Sequence, residues 1–145
     1  MDAIDEAIVR VLVRDARATF LEIGEKVGLS ASAAKRRFDR LVETGAVRGF
    51  TALVDPTVLG WRTEAYVEVF CKGTVSPAEL RRSLERIPEV VGACTVTGPA
   101  DALLHLLAED VAQLEGALER VREERQVDHT ESVIVLSRLI DRGRG

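Results

Sequence analysis

Lys35, Arg36, Arg37 and Arg40 crowd into SASAAKRRFDRLVETG (residues 30–45), within a 145-residue chain whose formal net charge is −4. A guanidinium at the centre of an exposed helical face can bond guanine bidentately or grip phosphate, and cations on its flanks suit phosphate alone. On a helical wheel Ala34, Phe38 and Leu41 point one way. Ser32, Arg36, Asp39, Arg40 and Glu43 lie opposite, with Lys35 and Arg37 on the two flanks. Ser32 and Ala33 are small and follow the capping Ser30, so a nucleic-acid groove could approach the backbone there. On an isolated helix the same charges read as a wet surface, with Asp39 and Glu43 pairing Arg36 and Arg40. The surrounding elements must decide between the two.

Other chemistry is thinly supplied. His105 and His129 each stand alone in a strand pattern, with no nucleophile elbow, metal spacing or phosphate loop near them. Cys71 and Cys94 sit in apolar stretches without Cys or His at ligand spacing, which reads as buried thiols in a reducing compartment. Glu123 and Glu124 close a helix as solvated charge. No catalysis, metal or cofactor is expected.

Three short helices position the basic stretch. Asp2 caps a first helix carrying Ile4, Ile8, Val11 and Leu12 and ending near Asp15. Thr19 and Glu22 form a capping box for a second, with Ile23 and Val27 on its stripe and Gly28 as its stop. Ser30 opens the third after a connection of about three residues, as helix-turn-helix units require. The strand-like AVRGFTALVD (46–55) follows as a wing, and this context turns the charged helix into a candidate reader of DNA.

Beyond Pro56–Gly60 the period becomes two. TEAYVEVFC (63–71) alternates Ala65, Val67, Val69 and Cys71 against Glu64, Tyr66, Glu68 and Phe70, which predicts a strand. Ser76-Pro77-Ala78-Glu79 starts a helix with Leu80, Leu84 and Ile87. VVGACTVTG and DALLHLLAE are strands joined at Gly98–Asp101, Asp110 caps a helix with Leu114, Leu118 and Val121, and VDHTESVIVLSRLI (127–140) is the last strand. The order βαββαβ predicts a four-stranded antiparallel sheet with both helices on one face. Its other face, with Tyr66 and Phe70, would stay apolar and exposed, so a homodimer through this half is expected.

Charge divides in the same place: residues 1–50 carry a net +1 and residues 51–145 a net −5. Basic character is therefore local to the first half. Apolar runs fall short of the roughly 18 residues of a membrane span, and MDAIDEAIVR lacks a basic n-region, so a cytoplasmic chain with no membrane partner is expected.

In order, MDAIDEAIVRVL, LEIGEKVGLSASAAKRRFDRLVETGAVRGFTALVDP, the βαββαβ half with its Gly-x-x-Asp turn, and VDHTESVIVL resemble the Lrp/AsnC, or feast/famine, family of transcriptional regulators over residues 2 to about 140. The resemblance implies an α+β chain: a winged helix-turn-helix domain (1–50), a β-strand linker (51–62), a ferredoxin-like, RAM-type effector and oligomerisation domain (63–140) and a tail (141–145). It implies contact with double-stranded DNA through Ser30, Ser32, Ala33, Lys35, Arg36, Arg37 and Arg40, and assembly of dimers into larger species such as octamers. It also implies an amino acid or related metabolite as effector, held near Gly98, Asp101, Thr130 and Ser132. Gly98 would let amides approach a carboxylate and Asp101 would accept from an ammonium; read without the family, these are a hairpin turn, a turn cap and ordinary strand residues. Pro99 replaces a residue that is commonly acidic in the family, removing a carboxylate and an N–H donor. A metabolite-binding oligomer that does not bind DNA is the competing reading.

Overall fold

The computed structural model describes residues 1–141, so the expected tail lies, beyond Asp141, outside the described residues. Two compact units divide between Leu53 and Val54.

In the first unit, α1 (Ala3–Arg14), α2 (Phe20–Val27) and α3 (Ala31–Glu43) each begin at a side-chain cap. Asp2 accepts from the amides of Ile4 and Asp5 at 3.0 and 2.9 Å, and the Asp5 carboxylate answers by accepting from the Asp2 amide at 3.1 Å. Thr19 and Glu22 do the same for α2, and Ser30 accepts from the Ala33 amide for α3. Such caps satisfy donors that the first turn leaves bare. Ile8, Leu12, Ile23, Ala34 and Leu41 form the core, with Phe20 and Phe38 packed on it at a ring separation of 5.4 Å. The α2–α3 turn is tight because Gly24 lets the chain close on itself. A Cβ there would lie 2.4 Å from the Leu29 carbonyl oxygen.

The expected wing is not a strand. Among the described residues, 46–55 make no sheet pairing: Val47 donates to the Leu41 carbonyl, and the segment then runs exposed to a 3-10 turn at Pro56–Leu59 capped by Asp55. Alternating apolar residues give strand propensity, but a strand exists only where a neighbouring backbone pairs with it.

The second unit runs β1 (Thr63–Cys71), α4 (Pro77–Leu84), β2 (Val90–Thr95), β3 (Ala102–Ala108), α5 (Val111–Glu123) and β4 (Val127–Ile134). Its antiparallel sheet has the order β2-β3-β1-β4. Ala65, Val67 and Val69 of β1 and Ala102, Leu104 and Leu106 of β3 meet Leu80 and Leu84 of α4 and Leu114, Ala117 and Val121 of α5 in one core. The strict alternation of β1 produces this face, and it sends Glu64, Tyr66, Glu68 and Phe70 to the other. The last strand is shorter than its apolar pattern predicts. It ends at Ile134 opposite Ala65, and Val135 makes one last bond to the Glu64 carbonyl near the start of β1.

Candidate functional site

The four cations of α3 have three different surroundings. Lys35 donates to Asp39 at 2.6 Å in the open, with the two side chains 57% and 47% exposed. Arg36 is exposed and has no hydrogen-bond or ion-pair partner among the described residues. Arg37 and Arg40 turn back to α1. The Arg37 guanidinium donates to Asp2 at 2.7 Å and to Asp5 at 2.8 Å, and Arg40 reaches the other Asp5 oxygen at 2.7 Å. The pairing of Asp39 and Glu43 with Arg36 and Arg40 that an isolated helix suggests does not form: Asp39 takes Lys35, and Arg40 takes Asp5.

Asp5 is the site residue that sequence reasoning missed. Its side chain is 1% exposed. The Arg37 hydrogen bond, the Asp2 amide and Arg40 together hold its carboxyl down to about 2 against burial. Arg37 is in turn pushed up by its bonds to Asp2 and Asp5. A signal was present: Asp5, Ile8 and Leu12 share the buried stripe of α1, and an acid on such a stripe requires a cation from the facing element.

At the N-terminal end of α3, Ser30 and Ser32 lie hydroxyl to hydroxyl at 3.2 Å beside half-buried Ala33. The helix thus offers solvent two small hydroxyl residues, one unpaired guanidinium and one exchangeable ammonium. That set can donate to base edges and phosphates.

In the second unit, Gly98 turns the β2–β3 connection with a φ of +108°, in the region that favours glycine. Asp101 is tied to β1 twice: its amide donates to the Val69 carbonyl at 2.9 Å, and its carboxylate accepts from the Cys71 amide at 2.7 Å. Thr130 pairs with Val69 from the opposite side, which sets Asp101, just ahead of β3, and Thr130 of β4 on the two sides of one end of β1, about 10 Å apart by strand spacing. The Thr130 hydroxyl accepts from Arg122 at 3.1 Å. Ser132 lies opposite Val67 and is exposed, and Gly98 is exposed in its turn. An apolar cavity of about 470 Å³ between α4 and β2 is lined by Leu80, Leu84 and Val90 and by none of these four residues.

The imidazoles are not isolated. His105 stacks on Tyr66 at 4.8 Å and lies 2.6 Å from Glu64, which Arg138 also bonds; His129 stacks on Phe70 at 4.3 Å. Burial raises the Glu64 carboxyl, but the bonds from Arg138 and His105 outweigh it and leave it lowered. Cys94 is exposed and Cys71 half-buried, so the expectation of two buried thiols fails at Cys94, on edge strand β2. Among the described residues no three His, Cys, Asp or Glu side chains could hold a metal ion, and no helix is long and apolar enough to cross a membrane.

A helix-turn-helix unit with a capped, partly unpaired basic third helix, joined to a βαββαβ sandwich of sheet and helices, defines a two-domain transcriptional regulator. Residues 1–42 match the AsnC-type helix-turn-helix domain and residues 64–144 the Lrp/AsnC ligand binding domain, and the chain belongs to the Lrp/AsnC family. It is 56% identical over 142 residues to the HTH-type transcriptional regulator Rv2324 of Mycobacterium tuberculosis, covering 98% of this chain and 96% of that one. Among solved structures it resembles a feast or famine regulatory protein of M. tuberculosis complexed with L-methionine, with TM-score 0.89, 32% identity, and 99% and 97% of the two chains covered. A Neisseria meningitidis transcriptional regulator in complex with L-Met superposes with TM-score 0.88 at 28% identity, covering 97% and 93%.

Proposed function

We propose that the protein is a sequence-specific DNA-binding regulator whose α3 enters the major groove of double-stranded DNA and whose second unit takes an amino acid. Ser30, Ser32, Ala33, Lys35 and Arg36 face the DNA, and Arg37 and Arg40, tied to Asp5 of α1, fix the angle of the helix. The observation that carries this reading is Arg36: an exposed guanidinium without a partner among the described residues, on a helix whose other arginines are engaged. Arginines paired to a buried carboxylate hold structure, while an unpaired one at the middle of a reading face is free to bond a base. Fluorescence titration of labelled duplex tests it. Arg36→Ala loses about 1–3 kcal/mol of binding to the preferred sequence and relaxes preference at one position; unchanged binding would overturn the assignment. If the wild-type chain bound no duplex at low salt, the metabolite-binding oligomer without DNA would stand instead.

The effector lies near Gly98, Asp101, Thr130 and Ser132. Support comes from Asp101 and Thr130, which both flank Val69 of β1, and from L-methionine in the two similar structures. The Asp101 carboxylate keeps acceptor capacity beyond its bond to the Cys71 amide, enough for an ammonium. Calorimetry with the twenty amino acids, methionine first, tests this, and no heat from any of them would overturn it. The uncovered sheet face joins two copies into a dimer that sets two α3 helices side by side, and dimers build higher assemblies such as octamers. Tyr66, Phe70, Leu103 and Leu107 are only half-buried there, and Val133 is exposed, which supports a covering copy. Its place of work is the cytoplasm, and it performs no catalysis.

A further inference from the structure

We infer that Asp5 is a positioning residue that withholds Arg37 and Arg40 from DNA phosphates, so that the binding of α3 depends less on charge and more on sequence. This rests on the DNA-binding reading above. Non-specific affinity grows with the number of cations that displace counterions from phosphate, each adding about 0.9 to the slope of log affinity against log salt. A stretch with four cations would carry most of its affinity in this sequence-blind form. Here two of them are fastened to one carboxylate, at 2.8 Å for Arg37 and 2.7 Å for Arg40, with Asp2 holding Arg37 again at 2.7 Å.

Phosphate cannot draw them off cheaply. Asp5 is 1% exposed, and moving either arginine to a phosphate would leave a buried charge short of its partner. The Lys35–Asp39 pair is different: it is solvent-exposed and i,i+4, worth little, and opens readily to a phosphate. Asp5 also accepts from the Asp2 amide, so one side chain ends the first turn of α1 and fixes two side chains of α3. The arginines that a sequence motif would count as contacts thus act on the DNA only through the angle at which they hold the helix.

The test is the salt dependence of binding to a random-sequence duplex, measured on the full chain over about 50 to 200 mM salt. Asp5→Asn keeps the shape and removes the charge. It releases Arg40, leaves Arg37 held only by the exposed Asp2, raises non-specific affinity and steepens the slope by about 1 to 2. A merely structural Asp5 would give weaker binding with an unchanged or shallower slope, which would overturn the inference. Arg40→Gln is the second arm, and it decides alone if Asp5→Asn fails to show a folded circular-dichroism spectrum. In an otherwise unchanged chain it leaves the slope as in the wild type, because Arg40 touches no phosphate; a loss of about 0.9 would overturn the inference. Wild-type chain that binds no duplex would instead sink the DNA-binding reading itself.

Discussion

Asp5 ionises near pH 2 in the folded chain, below the ordinary 3.8 of an aspartate, because Arg37, the Asp2 amide and Arg40 all favour its charged form. Asp2 is lowered in the same direction, first by Arg37. The sign follows from proton binding: between the two values the unfolded chain holds more protons, so stability rises with pH across that window. The contribution is complete above about 3.8 and is lost as pH falls toward about 2. Helix signal of the first unit, followed by circular dichroism in acid titration, is expected to fall over that range in the wild type. In Asp5→Asn the same range is flatter, from a lower starting stability; an unaltered acid profile would contradict the role given to Asp5. At this scale the sequence was only half legible. A wheel sorts Arg36, Arg37 and Arg40 by face, but it carries no information about which acid on a different helix will meet them. Arg36 and Arg40 fall on the same outer face of the wheel, and only the packing of α1 against α3 separates their fates.

Capping chemistry set most element boundaries in advance. Asp2, Thr19–Glu22, Ser30, Ser76–Glu79 and Asp110 all cap as their residue types demand, since each satisfies local amides without help from elsewhere. Residues 46–55 and 135–140 do not form the strands that their pattern predicts for the opposite reason: pairing is not local. Their apolar alternation describes what a partner backbone would bury, and among the described residues no strand pairs with them beyond the single Val135–Glu64 bond. The helix-turn-helix angle, in contrast, depends on one close approach. Gly24→Ala drives a methyl to 2.4 Å from the Leu29 oxygen, where backbone must move. The expected cost is about 1–3 kcal/mol, read as a lowered thermal midpoint together with weaker DNA binding. Gly116→Ala, on α5 with open space at its Cβ, serves as the control and leaves the midpoint unchanged or raised. Equal behaviour of the two variants would contradict the tight turn.

At the scale of the whole molecule, a DNA-reading unit and a ligand-binding unit share one chain of the Lrp/AsnC family. The division was legible because hydrophobic period and net charge change together near residue 50, and the family's motifs lie in the same order. The proposed ligand site was not, because Asp101 and Thr130 come to the two sides of β1 only through long-range backbone pairing with Val69. Sedimentation velocity at micromolar concentration is expected to give dimers or larger species; monomer alone would contradict the covered sheet face. A two-fold dimer would place its recognition helices at half-sites about 10 base pairs, or a multiple of that, apart. The central claim, that α3 reads sequence through Arg36, is met most directly by selecting duplexes from a random pool with the wild-type chain and with Arg36→Ala. The wild type should enrich a palindromic motif with half-sites at that spacing, and Arg36→Ala should lose preference at one symmetric pair of positions. Recovery of the same motif by both chains, or of none by a folded wild type, would contradict it.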